Sequence, residues 1–482
     1  MTWRLDLSKI IIVAVACAFC LSAVANAEPP NIVVIISDDQ FADDFGFMGN
    51  PYVQTPHLDQ LAAKSARFVN GSVPSSVCSP SLATLLTGLY PHQHGIHYNH
   101  PPPGNAAFNK MSSRAEYEKL RSRGFQLIQQ VDTLPRLLRD ELNYRSFQTG
   151  KFWEGHYSNA GFTDGMTLFQ PVPGQNYGGN RTLARGVLAA HGNGDWGLKI
   201  GRETMQPIVD FLDKDSGTPF FIWYAPFLPH QPHDAPQQFF ELYENQPDIP
   251  RHRVPYYASI SQFDETVGQL VQMIEERQLM QSTLFVFVID NGWQASEQPE
   301  RTRPVEFAHT KESKRSPFES GLRTPILFCW QSVIPPATYS EPVSSIDIVP
   351  TILDAVGKRS LAGEMAGMSL LSVAQGQGKL DPDRPIFGEI YPGDATLLGH
   401  PERDIAYRWM KLRNVKLIVP HQHDGNIPWN GYLNRPGFFD LEADPNEQRN
   451  LIDEPQYAAQ VRNLRTMLDG WWDGETSSIL LD

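Results

Sequence analysis

The stretch NIVVIISDDQ, residues 31–40, decides how the rest of the chain is arranged. Its β-branched run from Ile32 to Ile36 is typical of a strand that is buried on both faces of a parallel sheet. The run leads into Asp38 and Asp39, and the carboxyl ends of strands are where open α/β sheets bind ligands. Because two adjacent buried acids need charge compensation, this segment favours a bound cation over simple exposure to solvent.

The same pattern returns far downstream in TLFVFVIDNG, residues 283–292. There the apolar run is followed by Asp290 and Asn291, so two buried strands each deliver a pair of oxygen ligands to one edge of a sheet. Oxygen ligands without a histidine or thiolate select a hard cation such as Ca²⁺ over zinc, and Mg²⁺ remains an alternative. We therefore expect an α/β fold with one cation near Asp38 and Asp39.

The segment SSVCSPSLATLLTG, residues 75–88, places a cysteine at the start of a helix. Ser79-Pro80-Ser81 is typical of a helix N-terminus, and Gly88 is suited to end the helix. Cys78 therefore lies where free backbone N–H groups favour negative charge. A nucleophile at this point can attack an anionic ester that the same helix end holds. The alternative from this segment alone is a buried structural cysteine.

Charge and the N-terminal segment narrow the class of protein. The 482 residues include 40 Lys and Arg against 54 Asp and Glu, a net charge of −14, which disfavours non-specific nucleic-acid binding. Residues 1–27 combine early basic residues, an apolar run shorter than the ~20 residues of a membrane span, and a small-x-small ending. They predict a secretory signal peptide, and hence a periplasmic or secreted protein without a membrane span; a loose lipoprotein-like match at Cys17 is a minor alternative. Only Cys78 and Cys329 remain after cleavage, too few for a disulfide scaffold.

The segment around Cys78 resembles the signature of type I sulfatases, Cys-x-Pro-Ser-Arg followed by a small or apolar run and Thr-Gly. Leu82 stands where the family has arginine. In that family a maturation enzyme oxidises the cysteine to formylglycine, whose hydrated aldehyde attacks the sulfur of a sulfate ester. The matching residues are Cys78, Pro80, Ser81, Thr87 and Gly88.

Three further elements resemble the same family in the same order. Lys151 lies in a Gly-Lys-x-His-like element, although Trp153 stands at the histidine position and His156 is the nearest histidine. His230 lies in a Pro-His-x-Pro element, and Lys314 begins an element of the form Lys…Glu-Gly-Gly-x-Arg-x-Pro with one glycine replaced. The resemblance covers nearly the whole mature chain, so we identify the chain as a member of the type I sulfatase family.

The resemblance implies an alkaline-phosphatase-like α/β/α sandwich with a smaller C-terminal α+β subdomain. We expect the catalytic domain at 28–390 and a C-terminal small-sheet subdomain at 391–482, where residues 437–447 match a family segment. The implied ligands of one Ca²⁺ per chain are Asp38, Asp39, Cys78, Asp290 and Asn291. The implied catalytic residues are Cys78, Lys151, His230 and Lys314.

The expected function is hydrolysis of a sulfate ester by a formylglycine derived from Cys78, on a sulfated small molecule or polysaccharide. One alternative is a degenerate binder of sulfated ligands, because Leu82 cannot make the contacts of the family arginine. Another is a phosphate or phosphonate ester hydrolase, since both kinds of anion are tetrahedral. The histidines of segment 92–100 lack the spacing of a zinc site, and we expect a polar loop near the mouth of the active site there.

Overall fold

The computed structural model of the chain describes residues 29–214, 217–297, 309–363, 365–422 and 429–476. The predicted signal peptide, residues 1–27, lies outside these ranges. Within them, none of the helices combines the length and the apolar character that crossing a membrane requires.

The described residues contain a large mixed sheet, a small antiparallel sheet and a two-stranded ribbon. The strands are β1 (Asn31–Ser37), β2 (Ala66–Ser72), β3 (Arg145–Gly150), β4 (Asp164–Gly165), β5 (Asn180–Thr182), β6 (Leu188–Ala190), β7 (Phe220–Ala225), β8 (Thr283–Ile289), β9 (Arg323–Cys329), β10 (Ala337–Tyr339), β11 (Val343–Ser344), β12 (Ile386–Ile390), β13 (Tyr407–Leu412), β14 (Val415–Pro420) and β15 (Gly437–Asp440).

The longest of the described helices, Val254–Glu276, has 23 residues and packs on one face of the large sheet. The α-helices are Pro56–Ala63, Cys78–Thr87, Pro91–His94, Asn105–Lys110, Arg114–Gly124, Gln126–Gln129, Leu134–Leu142, Gln206–Asp213, Gln237–Glu241, Val254–Glu276, Glu319–Leu322, Ile348–Ala355, Leu371–Ala374 and Ala458–Trp471. The 3-10 helices are Gly46–Met48, Tyr157–Ala160, Ala184–Gly186, Asp195–Lys199, Arg251–Arg253, Met280–Ser282, Ser345–Asp347, Arg359–Ala362, Pro401–Arg403, Trp429–Gly431 and Pro455–Tyr457.

The large sheet runs in the order β10-β2-β9-β8-β1-β7-β3-β4, and β11 also pairs with β2. β1 lies at its centre between β8 and β7 and is parallel to both, with Val33 opposite Phe285 and Ile222. β9 alone among the strands of this sheet runs antiparallel to its neighbours, β2 and β8. The buried β-branched run therefore forms the central strand that the sequence predicts.

Successive side chains of β1 pack into two separate cores because neighbouring residues of a strand point to opposite faces. Val34 joins one core with the helices Cys78–Thr87 and Ile348–Ala355. Val33 joins the other core with the helix Val254–Glu276. The expected α/β/α sandwich is confirmed.

The topology brings the functional segments to one edge of the sheet. β1, β2, β3, β7 and β8 all point the same way, so their carboxyl ends meet at that edge. The amino end of the antiparallel β9 lies there too, which brings the segment before Arg323 to the same place. This edge is where the carboxyl-end rule for open sheets puts a ligand.

The four-stranded antiparallel sheet, in the order β12-β13-β14-β15, forms the smaller C-terminal unit with the helix Ala458–Trp471. A buried ion cluster joins it to the main body. Glu319 lies 3.2 Å from Lys411 Nζ and 2.8 Å from Lys416 Nζ, and Lys416 Nζ lies 3.0 Å from Glu447. The expected small α+β unit is therefore present and is tied to the segment that precedes β9.

The histidines of segment 92–100 are mostly buried, so the prediction of a polar loop there is wrong for most of the segment. His92 Nδ1 lies 2.7 Å from Glu389, and His97 Nε2 lies 2.8 Å from Asp404. His94 is completely buried beneath the helix Cys78–Thr87. Carboxylates about 300 residues away in the chain satisfy two of these rings, and a local sequence pattern cannot reveal such partners.

Candidate active site

Cys78 is the first residue of the helix Cys78–Thr87 and is 1% exposed. The preceding residue is extended and contributes no side-chain cap, while Asn99 Oδ1 accepts from Ser79 N at 3.1 Å. Ser81 Oγ donates to the carbonyl oxygen of Asp290 at 2.5 Å. These bonds fix the helix start to the carboxyl end of β8, and they hold the thiol at the functional edge of the sheet.

The acids and the amide that follow β1 and β8 form one interlocked cluster. Asp290 Oδ1 accepts from the backbone N–H of Asp39 at 2.9 Å and of Asn291 at 2.7 Å. Asn291 Nδ2 donates to Asp39 Oδ1 at 2.8 Å. The same Asp39 oxygen lies 4.0 Å from Cys78 Sγ. The structure thus brings together the two strand ends and the thiol that the sequence places far apart.

Two buried lysines compensate the carboxylates. Lys151 Nζ lies 2.9 Å from Asp38 Oδ1 and 3.3 Å from Cys78 Sγ. Lys314 Nζ lies 2.5 Å from Asp39 Oδ2. Each lysine therefore contacts one of the paired acids, and Lys151 also contacts the thiol.

His230 lies beside Lys314 and contacts the same acid. Its Nε2 lies 3.3 Å from Asp39 Oδ2 and 3.5 Å from Lys314 Nζ. Its Nδ1 lies 2.7 Å from the carbonyl oxygen of Gln231. Because a carbonyl only accepts, Nδ1 carries the ring proton and Nε2 is left as an acceptor.

Burial and neighbouring charges set the ionisation of these groups. Burial and the nearby acids raise the pKa of Asp38 well above its usual value, although Lys151 opposes this. Burial acts the same way on Asp39, but Lys314, His230 and Lys151 together lower its pKa. Burial raises the pKa of the Cys78 thiol to about 12 despite both lysines, so an unmodified thiol is a poor nucleophile here.

The chemistry of the cluster fits a hard divalent cation. The buried atoms Asp38 Oδ2, Asp290 Oδ2 and Asn291 Oδ1 accept no hydrogen bond, although Asp38 Oδ2 lies 2.8 Å from Lys151 Nζ. Buried polar oxygens without partners are costly, and oxygen ligands suit Ca²⁺ or Mg²⁺. Ligand atoms of Asp38, Asp39, Cys78 and His230 also lie within 4.8 Å of one another.

The cluster opens into a cavity of about 880 Å³. One wall is aromatic, and Phe227 stacks on His230 at 4.1 Å while its ring lies 5.0 Å from Lys151 Nζ. Residues of the glycine-rich segment between 174 and 201 also line the cavity. The space is large enough for a sugar ring or a short saccharide beside the cluster.

Two residues that the sequence raises as candidates lie elsewhere. His156 bonds to Ser158 Oγ at 2.8 Å at the start of the 3-10 helix Tyr157–Ala160 and is absent from the cavity wall, so it does not replace the missing histidine. Leu82 lies on the helix Cys78–Thr87, is 3% exposed and points into the apolar core that this helix covers. Trp153 itself lines the cavity.

Other cavity residues carry no sequence signal that points to the site. Arg315 follows Lys314 and lines the cavity, as do His100 and His191. Behind them, Arg121 is 2% exposed and donates from Nη1 to Asn99 O at 2.8 Å. Arg315, His100 and His191 lie in loops, and Arg121 lies on the helix Arg114–Gly124 of an insertion, so only the adjacency of Arg315 to Lys314 could have suggested one of them.

Comparison with known protein families gives two matches. The profile described as Sulfatase matches residues 30–358. The profile described as N-sulphoglucosamine sulphohydrolase, C-terminal, matches residues 308–472. Together they span the large sheet, the residues of the site and the small sheet.

Similar proteins include two mammalian relatives and a solved structure. Arylsulfatase A of Bos taurus is 28% identical over 90% of this chain and 85% of its own length. N-acetylgalactosamine-6-sulfatase of Canis lupus familiaris is 27% identical over 92% of this chain and 85% of its own. The crystal structure of Ps i-CgsB in complex with k-i-k-neocarrahexaose has a TM-score of 0.67 at 21% identity and covers 93% of this chain and 94% of its own.

Proposed function

Because the chain belongs to the sulfatase family, we propose that it hydrolyses a sulfate ester at the base of the cavity, with residue 78 as the nucleophile. The observation that carries this proposal is the position of Cys78 Sγ, 3.3 Å from Lys151 Nζ and 4.0 Å from Asp39 Oδ1. It puts a helix N-terminus, a cation and the carboxylate cluster around one reacting position. Such a set of charges is complementary to a sulfuryl group in transfer.

The proposed active form carries formylglycine at position 78 and Ca²⁺ on the acid cluster. Formylglycine supplies a hydrated aldehyde as nucleophile, and the cation supplies positive charge to the sulfuryl oxygens. The high pKa of the Cys78 thiol favours such a modification over catalysis by the thiol itself. The oxygens that would hold the cation are those of Asp38, Asp39, Asp290 and Asn291, with residue 78 beside them.

The two lysines have separate roles in this proposal. Lys151 contacts both Asp38 and Cys78, so it orients the nucleophile and neutralises charge at its side of the sulfate. Lys314 contacts Asp39 and His230, which places its charge at the side where the alcohol departs. Losing one such donor typically lowers the rate by about 10²–10³.

Lys314 can protonate the leaving oxygen directly, and His230 holds the lysine in place. His230 Nδ1 donates to the carbonyl of Gln231, so its Nε2 accepts from the Lys314 ammonium at 3.5 Å. Burial lowers the pKa of His230 well below its usual value, whereas for Lys314 the charge of Asp39 and its neighbours outweighs burial and raises the pKa, so the proton stays on the lysine. The Lys314 ammonium is therefore the group that can donate a proton to the departing alkoxide.

The proposed substrate is a sulfated carbohydrate. The relative from Canis lupus familiaris is named as a sulfatase of N-acetylgalactosamine, and the solved structure holds a carrageenan-type oligosaccharide. A cavity of about 880 Å³ with aromatic walls is suited to a sugar ring. The proposal further includes a formylglycine-generating maturation enzyme as partner and secretion through residues 1–27.

The experiment that tests this function co-expresses the chain with a formylglycine-generating enzyme. Peptide mass spectrometry then reports the state of residue 78, and sulfate release is measured on 4-nitrophenyl sulfate and N-acetylgalactosamine 6-sulfate. We expect formylglycine and sulfate release, and we expect Cys78→Ala to abolish the release. Cys329→Ala is the matched control, because Cys329 is also buried but lies at the end of β9 away from the cavity.

Two outcomes reject parts of the proposal, and a third tests the role of Leu82. An unmodified thiol at residue 78 together with no sulfate release rejects the sulfatase reading, and saccharide binding without turnover then identifies a binder. If 4-nitrophenyl phosphate or phenylphosphonate monoesters are hydrolysed faster than the sulfates, the protein is a phosphate or phosphonate ester hydrolase. A gain of modification or activity in Leu82→Arg identifies the missing arginine as the limiting feature.

A further inference from the structure

Arg315 is a cation of the cavity wall that pairs with none of the described residues through its side chain. Arg315 lines the cavity next to Lys314, and no described residue forms a hydrogen bond or an ion pair with its guanidinium. The two lysines of the site differ, since Lys151 pairs with Asp38 and Lys314 pairs with Asp39. A guanidinium on a cavity wall that pairs with none of the described carboxylates is suited to bind an anion that enters from outside.

The backbone of Arg315 is held in a conformation that few residues other than glycine adopt. Its φ is +70°, in the left-handed region. Its N–H donates to the carbonyl of Ser76 at 2.9 Å, and Ser76 Oγ donates to the carbonyl of Ser316 at 2.7 Å. Strain of this kind persists only where the surroundings fix the turn. Here the turn is fixed to the segment just before Cys78, so the guanidinium is held at a set position relative to the nucleophile.

His100 lies beside Arg315 and offers a second donor. Both residues adjoin Gly393, whose carbonyl accepts from His100 N at 3.0 Å and whose ideal Cβ position lies 3.3 Å from Arg315 Nη2. Arg121 Nη1 lies 3.3 Å from His100 Nδ1. Because arginine only donates, Nδ1 accepts and the ring proton of His100 is on Nε2. No described residue accepts a hydrogen bond from that N–H.

Arg315 and the Nε2–H of His100 are therefore two donors of this corner that no described residue satisfies. The nearby acid Asp394 accepts from Asn105 N at 2.9 Å and makes no ion pair with Arg315. An apolar substrate group would leave the Arg315 guanidinium and the His100 Nε2–H without a partner. A substrate hydroxyl could accept from them, but its own O–H would find no acceptor in either residue. A carboxylate or a sulfate satisfies both, with the guanidinium fork matching two of its oxygens.

We propose that Arg315 and His100 bind a second anionic group of the substrate, beside the sulfate ester that is cleaved at residue 78. The substrate class is therefore a saccharide that carries a further sulfate or a carboxylate near the scissile ester. This inference rests on the proposed sulfate-ester hydrolysis. Arg121 acts through His100 as a positioning residue, because it fixes the proton on Nε2.

The test compares matched pairs of saccharides that differ by one anionic group. N-acetylglucosamine 6-sulfate is compared with glucosamine 2-N,6-O-disulfate, and N-acetylgalactosamine 6-sulfate with the uronate-containing chondroitin 6-sulfate disaccharide. We expect the wild type to prefer the doubly anionic member of at least one pair by about 10- to 100-fold in kcat/KM, mainly through KM. Which pair shows the preference distinguishes a second sulfate from a carboxylate.

The variants connect that preference to the subsite. Arg315→Met should remove the preference, Arg315→Lys should retain part of it, and His100→Ala should weaken it. Arg323→Met is the matched control, because Arg323 is half-buried, pairs with Asp43 and lies off the cavity wall, and it should keep the preference. A wild type without a preference, or an Arg315→Met protein that keeps it, overturns the proposal.

Failure of the proposed function gives a different pattern of results. If the wild type releases no sulfate from any saccharide or from 4-nitrophenyl sulfate, the proposed hydrolysis is rejected, and the subsite is tested by binding instead. Calorimetric binding of the same pairs to the full-length Cys78→Ala protein then tests the subsite by itself. Tighter binding of a doubly anionic member that depends on Arg315 supports the subsite. Equal binding within both pairs, or no binding, overturns it.

Discussion

Removal of the proposed cation should destabilise the protein by an amount that the cluster geometry sets. Two buried oxygens, Asp290 Oδ2 and Asn291 Oδ1, accept no hydrogen bond, while Asp38 Oδ2 has only the Lys151 ammonium beside it. An unsatisfied buried polar group costs about 1–3 kcal/mol, so satisfying these two offers a gross gain of roughly 2–6 kcal/mol before the ion is dehydrated. The net gain in the free energy of unfolding is about 2.7 kcal/mol when free Ca²⁺ is 100 times its Kd.

Urea unfolding, followed by tryptophan fluorescence with excess EDTA and with a series of Ca²⁺ concentrations, measures this gain. Asp290→Asn should lose most of it, because the variant removes a charge from the cluster. Asp264→Asn is the matched control, since Asp264 is also buried and also accepts from two backbone N–H groups, at 2.7 Å and 3.1 Å. It should lose stability yet keep the response to Ca²⁺. Equal midpoints in EDTA and in Ca²⁺ for the wild type, or loss of the response in Asp264→Asn, would refute the reasoning.

Three further predictions concern pH and the buried ion cluster. The raised carboxyl pKa values in the acid cluster mean that protons compete with the cation, so calorimetry should show Ca²⁺ affinity falling as the pH is lowered from 8 to 5. Burial raises the pKa of Glu154 from 4.5 to about 8. The folded protein therefore holds this proton more tightly than the unfolded chain, and the stability that results is complete below pH 4.5 and is lost as the pH rises through 8. The free energy of unfolding should therefore fall by about 3 kcal/mol between pH 4.5 and 7, and urea titrations of Glu154→Gln should lack this component. Lys416→Met should cost about 3–5 kcal/mol in the same assay, because buried Glu447 loses its lysine and Glu319 keeps only Lys411. Lys199→Met, at an exposed pair, should cost about 0.3–0.5 kcal/mol.

The central strands and the start of the Cys78 helix could be predicted from the sequence, because each is encoded by a short continuous stretch of residues. A run of β-branched residues can be buried on both faces only in a covered parallel sheet, so β1 and β8 were readable from residues 31–37 and 283–289. Their acidic ends then meet at one edge by topology alone. The helix start at Cys78 and its end at Gly88, with a φ of +69°, were equally readable from proline and glycine chemistry.

The substrate side of the site was not readable, because its residues are defined by contacts across long separations in the chain. The position of Arg315 depends on its contacts with Ser76 and Gly393, and the position of the ring proton of His100 depends on Arg121. None of these pairings leaves a periodic pattern. His92 is a similar case, since an isolated ring on a loop and a ring paired with a buried acid look the same in sequence.

The pairing of the histidine segment with the small sheet makes the C-terminal region a structural part of the cavity. His92 pairs with Glu389 and His97 pairs with Asp404, and His100 on the cavity wall belongs to the same short segment. A chimera that took only its last hundred or so residues from a relative would pair the histidines of this chain with the acids of another protein. A chimera should therefore take the segment from 91 to 100 and the small sheet from the same parent.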